Sequence, residues 1–229
     1  MRALPVTTTD IAARIITRID DGPGDQVSSP GSTSAAEVLD AINEGEQLFC
    51  LLTLCLESTV TLAIPAATPF SSFRFLLPDF VAPLRLVVKG TRIRPATLAN
   101  LDAENPAWQA TPGTPSQYVM LGFDLLALTP QPAFSINSSF TYARSAKVLA
   151  DGDTPEIPDQ YHPLLVDFGI YWIKKKEGGL GLQRGLDAFT RFLDGAQEHR
   201  DFVLAKSRAA GYDTLPFELA LFDRSLLTS

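Results

Sequence analysis

The sequence predicts an α+β protein, in which a bundle of about four helices carries an inserted antiparallel β-sandwich or small barrel. Apolar residues recur at helical spacing near both ends of the chain, whereas in the middle they alternate at period two between frequent Gly and Pro. With 229 residues, of which 45% are hydrophobic, the chain is long enough to bury a core without disulfides or structural metals.

The first predicted helix covers residues 9–20. Asp10 lies in its first turn, where the helix dipole favours a negative charge. A stripe at helical spacing predicts one buried face, formed by Ile11, Ile15, Ile16 and Ile19. Residues 20–33 are rich in Asp, Gly, Pro and Ser, which is typical of a solvated loop.

A second helix is predicted from the capping-box sequence that begins at Ser34. The serine side chain can accept a hydrogen bond from the backbone N–H of Glu37, while the Glu37 side chain bonds back to Ser34. The apolar face of this helix consists of Val38, Leu39, Ile42, Phe49 and Leu52. We expect the helix to run to about residue 56 and to pack against the first.

The two cysteines, Cys50 and Cys55, lie within this second predicted helix. On a continuous helix, side chains five residues apart point roughly 140° from each other, at ~100° per residue. Such divergence suits neither a disulfide nor a metal site. We therefore interpret both residues as buried thiols.

Residues 58–144 have the pattern of short strands. Val60, Leu62 and Ile64 alternate with small or polar residues, which places one face of a strand on a core. Further extended segments are predicted at 73–77, 84–88, 118–121, 125–128 and 134–142. The last of them carries on one side Phe134, Ile136, Phe140 and Tyr142.

Two further helices are predicted towards the C-terminus. The first follows Pro158 and ends in lysines at 174–176, where the helix dipole favours cations. The second runs from 182 to about 210, and Gly211 suits its C-terminal cap. Its predicted apolar stripe consists of Leu182, Leu186, Phe189, Leu193, Ala196 and Val203.

The predicted organisation has four parts. They are an N-terminal helical pair (1–57), a β-rich domain (58–150), a C-terminal helical pair (151–211) and a C-terminal arm (212–229). The apolar residues of the arm are Tyr212, Leu215, Phe217, Leu219, Leu221 and Phe222. These side chains either fold back on the chain's own core or insert into a partner, because an exposed apolar patch would otherwise favour aggregation.

No catalytic, cofactor-binding or metal-binding residues are predicted. His162 and His199, the two histidines, have no second ligand at suitable spacing, and His199 is placed on the polar side of the last helix. The sequence has no G-x-S-x-G motif, and residues 178–182 form a turn rather than a phosphate loop. The acidic clusters at 20–25 and 151–153 lack the EF-hand pattern, so we interpret them as solvated turns.

The balance of 19 basic against 26 acidic residues gives a formal charge of −7. This balance argues against a general nucleic-acid-binding surface, because neutralising phosphates requires clustered Lys and Arg. We see no secretory signal and no apolar stretch approaching the ~20 residues of a bilayer span. We expect no membrane partner, and a protein kept in the cytoplasm unless it leaves as part of a larger particle.

The order of several short motifs, up to about residue 210, resembles that of tailed-bacteriophage head-to-tail connector (neck adaptor) proteins. The first motif is the end of the first helix at Asp20-Asp21, and the others follow at 34–44, 75–79, 98–102, 106–108, 113–118, 128–132 and 155–167. Each motif is structural rather than catalytic, so the resemblance rests on their order.

The resemblance implies a non-enzymatic virion protein of the neck, assembled in the host cytoplasm into a dodecameric ring docked on the portal. Its partners would be copies of itself, the portal protein and a tail or nozzle protein, with DNA passing through an acidic lumen without specific binding. By position, residues 212–222 would form an arm that reaches into the portal. The alternative is a ligand- or glycan-binding β-module of a phage tail component, with Trp108 and Tyr118 as stacking platforms.

Overall fold

The helices and strands follow each other in an α–β–α order along the chain. The computed structural model describes residues 6–20, 33–73, 76–122, 125–177 and 179–209. The helices in these ranges are α1 (Thr8–Asp20), α2 (Ala35–Thr53), α3 (Leu98–Glu104), α4 (His162–Glu177) and α5 (Gly179–Ala209), with a 3-10 turn at Asp159–Tyr161. The strands are β1 (Glu57–Ile64), β2 (Phe70–Ser72), β3 (Phe80–Val88), β4 (Thr91–Pro95), β5 (Pro112–Gly113), β6 (Gln117–Leu121), β7 (Leu125–Thr129), β8 (Gln131–Pro132) and β9 (Ile136–Arg144).

These elements form two compact units. The helical unit contains residues up to 56 and residues 145–203, and the β-rich unit contains residues 57–144. The predicted α+β class with an inserted β-sheet is confirmed. The sequence did not predict α3, whose seven residues are too few to show a periodic apolar pattern.

Apolar side chains and glycines bring the helices of the helical unit together. α4 packs against α1 and α2, which also contact each other. The core contains fully buried side chains from four helices, namely Ile11, Ile15, Ile42, Phe49, Leu165 and Phe192. A Cβ added to Gly169 of α4 would lie 2.4 Å from Ile15 of α1, and one added to Gly45 of α2 would lie 2.8 Å from Phe168. The missing side chains therefore allow α4 to approach both neighbours closely.

The last helix buries only part of the predicted stripe. Leu193 and Ala196 are buried as predicted, whereas Leu186, which was expected inside, is exposed, and Phe192, which was not in the predicted stripe, is fully buried. The Phe192 ring lies 6.3 Å from that of Phe49 and 5.1 Å from that of Phe168, between ring centroids. Packing against these aromatic rings explains the burial of Phe192, which extends the apolar face of the helix beyond the predicted stripe.

The second helix begins as predicted but ends earlier. Ser34 Oγ accepts a hydrogen bond from Glu37 N at 3.2 Å, and Ser34 N donates to Glu37 Oε2 at 2.9 Å, which confirms the capping box. α2 ends at Thr53 because Leu54 adopts a left-handed conformation, with φ 56°, and donates its N–H to Cys50 O at 2.8 Å. Leu54 is only 6% exposed, and burial of its side chain offsets the cost of this conformation.

The β-rich unit is built on one curled sheet of seven strands, in the order β1-β9-β3-β4-β6-β7-β2. Neighbouring strands of this sheet are antiparallel except β4 and β6, which are parallel. Strands β5 and β8 form a separate parallel pair. The sheet is mixed rather than purely antiparallel because α3 lies between β4 and β6 in the chain, and a parallel pair requires such a crossover.

One face of the sheet forms the core of the β-rich unit. Leu62 and Ile64 of β1 are buried, as their alternation predicts, and β9 contributes Phe140 and Tyr142 to the same core. The prediction that Phe134 shares this face is wrong, because Phe134 precedes β9 and is 74% exposed. The alternation of buried and exposed residues begins at Ile136, two residues later than the sequence predicted.

The prediction of an extended segment at residues 73–77 is also wrong for the residues of this range that the structure describes, because Phe73, Leu76 and Leu77 belong to no strand. The strand in this region is β2, which ends at Ser72 and pairs with β7. Phe73 lies just beyond it and packs in the core, with its ring centroid 4.8 Å from that of Phe80 and 5.6 Å from that of Phe140. Aromatic packing, not strand pairing, explains the apolar character of this position.

We predict that Phe140→Ala lowers the free energy of unfolding of the β-rich unit by about 3–5 kcal/mol, because it leaves a cavity among aromatic rings. Chemical denaturation followed by circular dichroism measures this change. Phe134→Ala is the matched control, and it should change stability by less than ~0.5 kcal/mol. Equal losses in the two variants would contradict the assignment of the buried face.

Candidate functional site

The residues predicted to contact a partner belong to the C-terminal arm. Tyr212, Leu215, Phe217, Leu219, Leu221 and Phe222 all lie outside the described residues, as do residues 21–25 of the first acidic cluster. The described residues supply the framework that precedes the arm and several exposed surfaces.

Two polar side chains of α2 bind the backbone of the segment that follows β9. Asn43 Nδ2 donates to Leu149 O at 3.1 Å, and Leu149 N donates to Asn43 Oδ1 at 2.7 Å. One turn later, Glu46 Oε1 accepts hydrogen bonds from the backbone N–H groups of Glu156 and Ile157. Both side chains are buried, and these hydrogen bonds replace the water that burial removes. Sequence reasoning missed them, although polar residues on the apolar face of a helix are a signal of such a role.

The start of α1 binds the same segment at the acidic turn formed by residues 151–153. Gly152 N donates to Thr8 Oγ1 at 2.8 Å, and Thr8 N donates to Asp153 O at 2.8 Å. The Asp153 carboxylate accepts from Ala150 N, also at 2.8 Å. This turn is therefore part of the packing of α1. In the described ranges, no three His, Cys, Asp or Glu side chains are grouped as metal ligands.

A buried carboxylate connects three helices of the helical unit. Asp167 of α4 lies 3.0 Å from the guanidinium of Arg191 in α5 and 3.6 Å from that of Arg18 in α1. The Asp167 side chain is largely buried, whereas both arginine side chains are more than half exposed. Arg191 thus supplies charge-assisted hydrogen bonds to the carboxylate and Arg18 adds a second ion pair, while both arginines remain in contact with water.

The predicted lysine-rich end of α4 contacts the beginning of α2. Lys176 Nζ lies 3.0 Å from Glu37 Oε1 and 3.7 Å from the centroid of the Trp172 ring. Trp172 in turn donates from Nε1 to Glu44 Oε2 at 2.7 Å. Hydrogen bonding from the Ser34 backbone, followed by Lys176, holds the pKa of Glu37 below its usual value. The lysine therefore connects two helices in addition to lying near a helix C-terminus.

The placement of His199 on the polar side of the last helix is wrong. His199 is 5% exposed, and its ring stacks on Phe49, with 5.5 Å between centroids and 17° between planes. Tyr161 lies closer still, at 4.1 Å. Neither ring nitrogen makes a hydrogen bond within the described part of the chain, and burial lowers the pKa of His199. The charged neighbours Glu198 and Arg200 concealed this burial in the sequence.

Large apolar side chains are exposed in each unit and mark candidate contact surfaces. In the helical unit they are Ile16, Leu51, Val148, Leu186 and Phe202, and in the β-rich unit they are Leu76, Leu98 and Phe134. Single exposed apolar residues are common on protein surfaces, but aromatic ones are enriched where proteins meet. By that criterion Phe202 and Phe134 are the strongest candidates.

The stacking role considered for Trp108 and Tyr118 is wrong, because these rings are 1% and 2% exposed. Trp108 packs with Leu101 and Val119, and its Nε1 donates to Asp102 Oδ1 at 2.9 Å. The tryptophan therefore fixes α3 and the following loop on the sheet, and neither ring is available to stack on a sugar.

The arrangement of helices around a β-rich insertion agrees with the resemblance seen in the sequence. The family model of the SU10 adaptor protein matches residues 6–210, which is most of the chain. This match identifies a phage head-to-tail adaptor, the class that the motif order predicted. The chain belongs to the SU10 adaptor protein family. A search of curated proteins finds no match.

Membership of this family defines a structural component of a phage. Adaptors of this kind oligomerise and contact other virion components, and the family is of a structural rather than an enzymatic type. Every helix in the described ranges is too short or too polar to cross a bilayer.

We predict that Asn43→Ala lowers the free energy of unfolding of the helical unit by about 1–3 kcal/mol, because it leaves the N–H and C=O of Leu149 buried without their partner. Denaturant titration measures the loss. Gln47→Ala, which removes an exposed amide from the same helix, should change stability by less than ~0.5 kcal/mol. The assigned role of Asn43 fails if the two variants behave alike.

We also predict that His199 makes the helical unit sensitive to acid. In the unfolded chain the imidazole titrates near ~6.5, and in the folded protein its pKa is lower. The contribution of neutral His199 to stability is therefore fully present above pH ~6.5. It is lost as the pH falls from there towards the lower pKa of the folded state, by at most about 1.4 kcal/mol per pH unit for one proton.

The measurement compares free energies of unfolding at several pH values between 7.5 and 5. His199→Phe should lose less stability than the wild type over this range, whereas Gln197→Ala, an exposed substitution on the same helix, should follow the wild type. Parallel curves for His199→Phe and the wild type would exclude His199 as the source.

Proposed function

We propose that this adaptor forms a ring in the phage neck, between portal and tail, and lines the channel through which DNA leaves. The observation that carries the proposal is the family match over residues 6–210. The four parts predicted from the sequence take separate roles: the helical pairs at 1–57 and 151–211 face the portal, and the β-rich domain at 58–150 makes lateral or tail-side contacts. The arm at 212–229 binds the portal.

The contacts within the helical unit support a role as a rigid ring subunit. Buried hydrogen bonds from Asn43 and Glu46 hold the segment that follows β9 on α2, and the ion pairs of Asp167 connect α4 with α1 and α5. Exposed apolar side chains such as Phe202 and Phe134 remain for contacts with other copies or with neighbouring proteins. A ring closes when such contacts join two different surfaces of identical subunits.

The formal charge of −7 supports the proposed channel. An acidic inner wall repels phosphates and lets a duplex move without specific binding. A map of the ring with an inner wall dominated by Lys and Arg would contradict this part of the proposal.

The proposed arm is richer in apolar residues than the exposed face of α5, the helix before it. Residues 215–222 include Leu215, Phe217, Leu219, Leu221 and Phe222. Aromatic and aliphatic anchors of this kind are typical of segments that insert into a partner's pockets.

We predict that a chain ending at Gly211 keeps its fold and loses binding to the portal. The binding measurement is the mass of the protein mixed with portal rings, compared with the mass of each alone, and full-length protein should give a complex in which the adaptor is a dodecamer. In the full chain, Phe217→Ala and Phe222→Ala should each weaken binding by about 2 kcal/mol, or roughly 30-fold.

Thr214→Ser, a nearly isosteric change in the same segment, is the matched control and should bind as the wild type does. Circular dichroism and thermal unfolding must show that the truncated chain is folded. Undiminished portal binding by the folded truncation would overturn the arm, and the absence of any complex with the full chain would overturn the neck position.

A further inference from the structure

The outer face of the seven-stranded sheet, opposite its core, is covered over only part of its width. At β6 and β7 this face carries Val119 and Ala127, which are buried with Trp108 and α3. On β1 and β9 it carries small polar side chains such as Thr61 and Ser139, which lie opposite each other and are exposed. We call the uncovered part, formed by β1, β9, β3 and β4, the open face.

The open face carries positive charge from the hairpin of β3 and β4. Val87 of β3 lies opposite Arg92 of β4 on the outer side of the sheet. Because side chains alternate between the two faces of a strand, Arg85 and Arg94 project from the same side, and both are exposed. Lys89 is exposed at the turn that joins the two strands. The hairpin therefore concentrates cations on one accessible surface.

These cations are not neutralised by neighbouring residues. In the described part of the chain, Arg85, Lys89 and Arg94 make no ion pair and no side-chain hydrogen bond. The four strands of the open face, which the structure describes in full, contain one carboxylate, that of Glu57 at the start of β1. Residues 57–144 hold six of the 19 basic and five of the 26 acidic residues, so this part carries +1 and the rest of the chain −8.

Part of the acidic surplus forms a stripe along α5. The stripe consists of Asp187, Asp194, Glu198 and Asp201, all of which are exposed. These residues are spaced seven, four and three positions apart, which places them within ~60° of each other around the helix, at ~100° per residue. Arg191 flanks the stripe, but its guanidinium is bonded to Asp167. The stripe is therefore predominantly acidic.

The open face and the acidic stripe are similar in length. The strand rises ~13 Å from Arg85 to Lys89, at ~3.3 Å per residue, and long basic side chains extend this reach at both ends. The helix rises ~21 Å from Asp187 to Asp201, at ~1.5 Å per residue. Phe202, which is 60% exposed, adjoins the stripe and supplies apolar area that exposed ion pairs alone lack.

We propose that in the assembled ring the acidic stripe of α5 in one copy binds the open face of the sheet in the next copy. The charges of the two surfaces are complementary, which orients partners and disfavours like-charged contacts. Contact between two different surfaces, repeated from copy to copy, closes a ring when the rotation fits. This inference rests on the proposed ring and names the surfaces by which its subunits meet.

Nucleic acid is the other polyanion that such a face could bind. Three exposed cations are few for neutralising a phosphate backbone, and the outer side chains of the open face include no aromatic ring on which bases could stack. The stripe on α5, in contrast, offers a complementary surface on every copy. A second copy of this chain is therefore the occupant that the observations favour.

Charge reversal on full-length chains tests the contact, with portal rings as the template and native mass measurement of adaptor copies per complex. One variant combines Arg85→Glu with Arg94→Glu, and the other combines Asp187→Lys with Glu198→Lys. Each alone should need at least a roughly tenfold higher concentration than the wild type to complete the ring, because like charges then meet at every junction.

An equimolar mixture of the two variants should assemble as the wild type does. Each variant then meets opposite charges on both neighbours, so the mass should show equal numbers of the two chains in each ring. Recovery in the mixture also shows that both variants are folded. Arg14→Glu combined with Lys147→Glu is the matched control, because it changes the net charge equally at exposed positions outside both surfaces, and it should assemble normally.

The possible failures are distinct. Complete rings from either reversed variant alone at wild-type concentration, or no recovery in the mixture, would overturn the contact and leave the ring intact. Normal rings from Arg85→Glu with Arg94→Glu, together with loss of binding to a DNA duplex, would assign the open face to nucleic acid instead. The absence of any wild-type complex would overturn the proposed ring, and this contact with it.

A measurement on the wild type needs no variant. Raising the salt concentration from about 50 mM to about 500 mM screens exposed charges, so completion of the ring should require several-fold more protein. Ring formation that is unaffected by salt would contradict the proposal. Arg85→Gln with Arg94→Gln removes the two charges without reversing them, and it replaces the glutamate variant if circular dichroism shows that variant to be unfolded.

Discussion

The helical unit depends on the hydrogen bonds by which α2 holds the segment that follows the β-rich insertion. Residues 145–158 contain no helix or strand, so the backbone groups they bury need partners from other elements. Asn43 and Glu46 supply these partners through side chains one helical turn apart, and Thr8 does so from the start of α1. The segment leads through the 3-10 turn at Asp159–Tyr161 into α4, so these hydrogen bonds fix where the second half of the unit begins.

In the same unit, the residues that stabilise the fold are different from the exposed residues that are available for contact with other proteins. Its polar groups point inwards or connect helices, as Asp167 and Lys176 do, while several of its large apolar side chains point outwards. Glycines at close helix contacts, such as Gly169 against Ile15, leave little room for internal adjustment. A rigid interior of this kind allows exposed side chains to be held at fixed positions, as repeated contacts between identical copies require.

Sequence reasoning succeeded where the determining interactions are local. The capping box of Ser34 and the alternation of β1 each depend on residues that are close together in the sequence, and both are present in the structure. It failed where distant elements decide: the parallel pairing of β4 and β6 depends on a crossover, and the burial of His199 depends on Phe49. The early end of α2 was missed because its left-handed residue is Leu54, where only tertiary burial, and no glycine, marks the turn. The exposed candidate surfaces could not be predicted, since exposure depends on the whole fold.

The interrupted order of the helical unit has a consequence for its synthesis. α1 and α2 leave the ribosome about 100 residues before α4 begins, an interval of roughly 5–20 s at ~5–20 residues per second. During that time the apolar faces of Ile15, Ile42 and Phe49 lack the helices that later cover them, while the complete β-rich sequence emerges and can form its sheet. Nascent chains therefore pass through a stage in which the β-rich middle of the protein is complete while the apolar faces of the first two helices still lack α4 and α5.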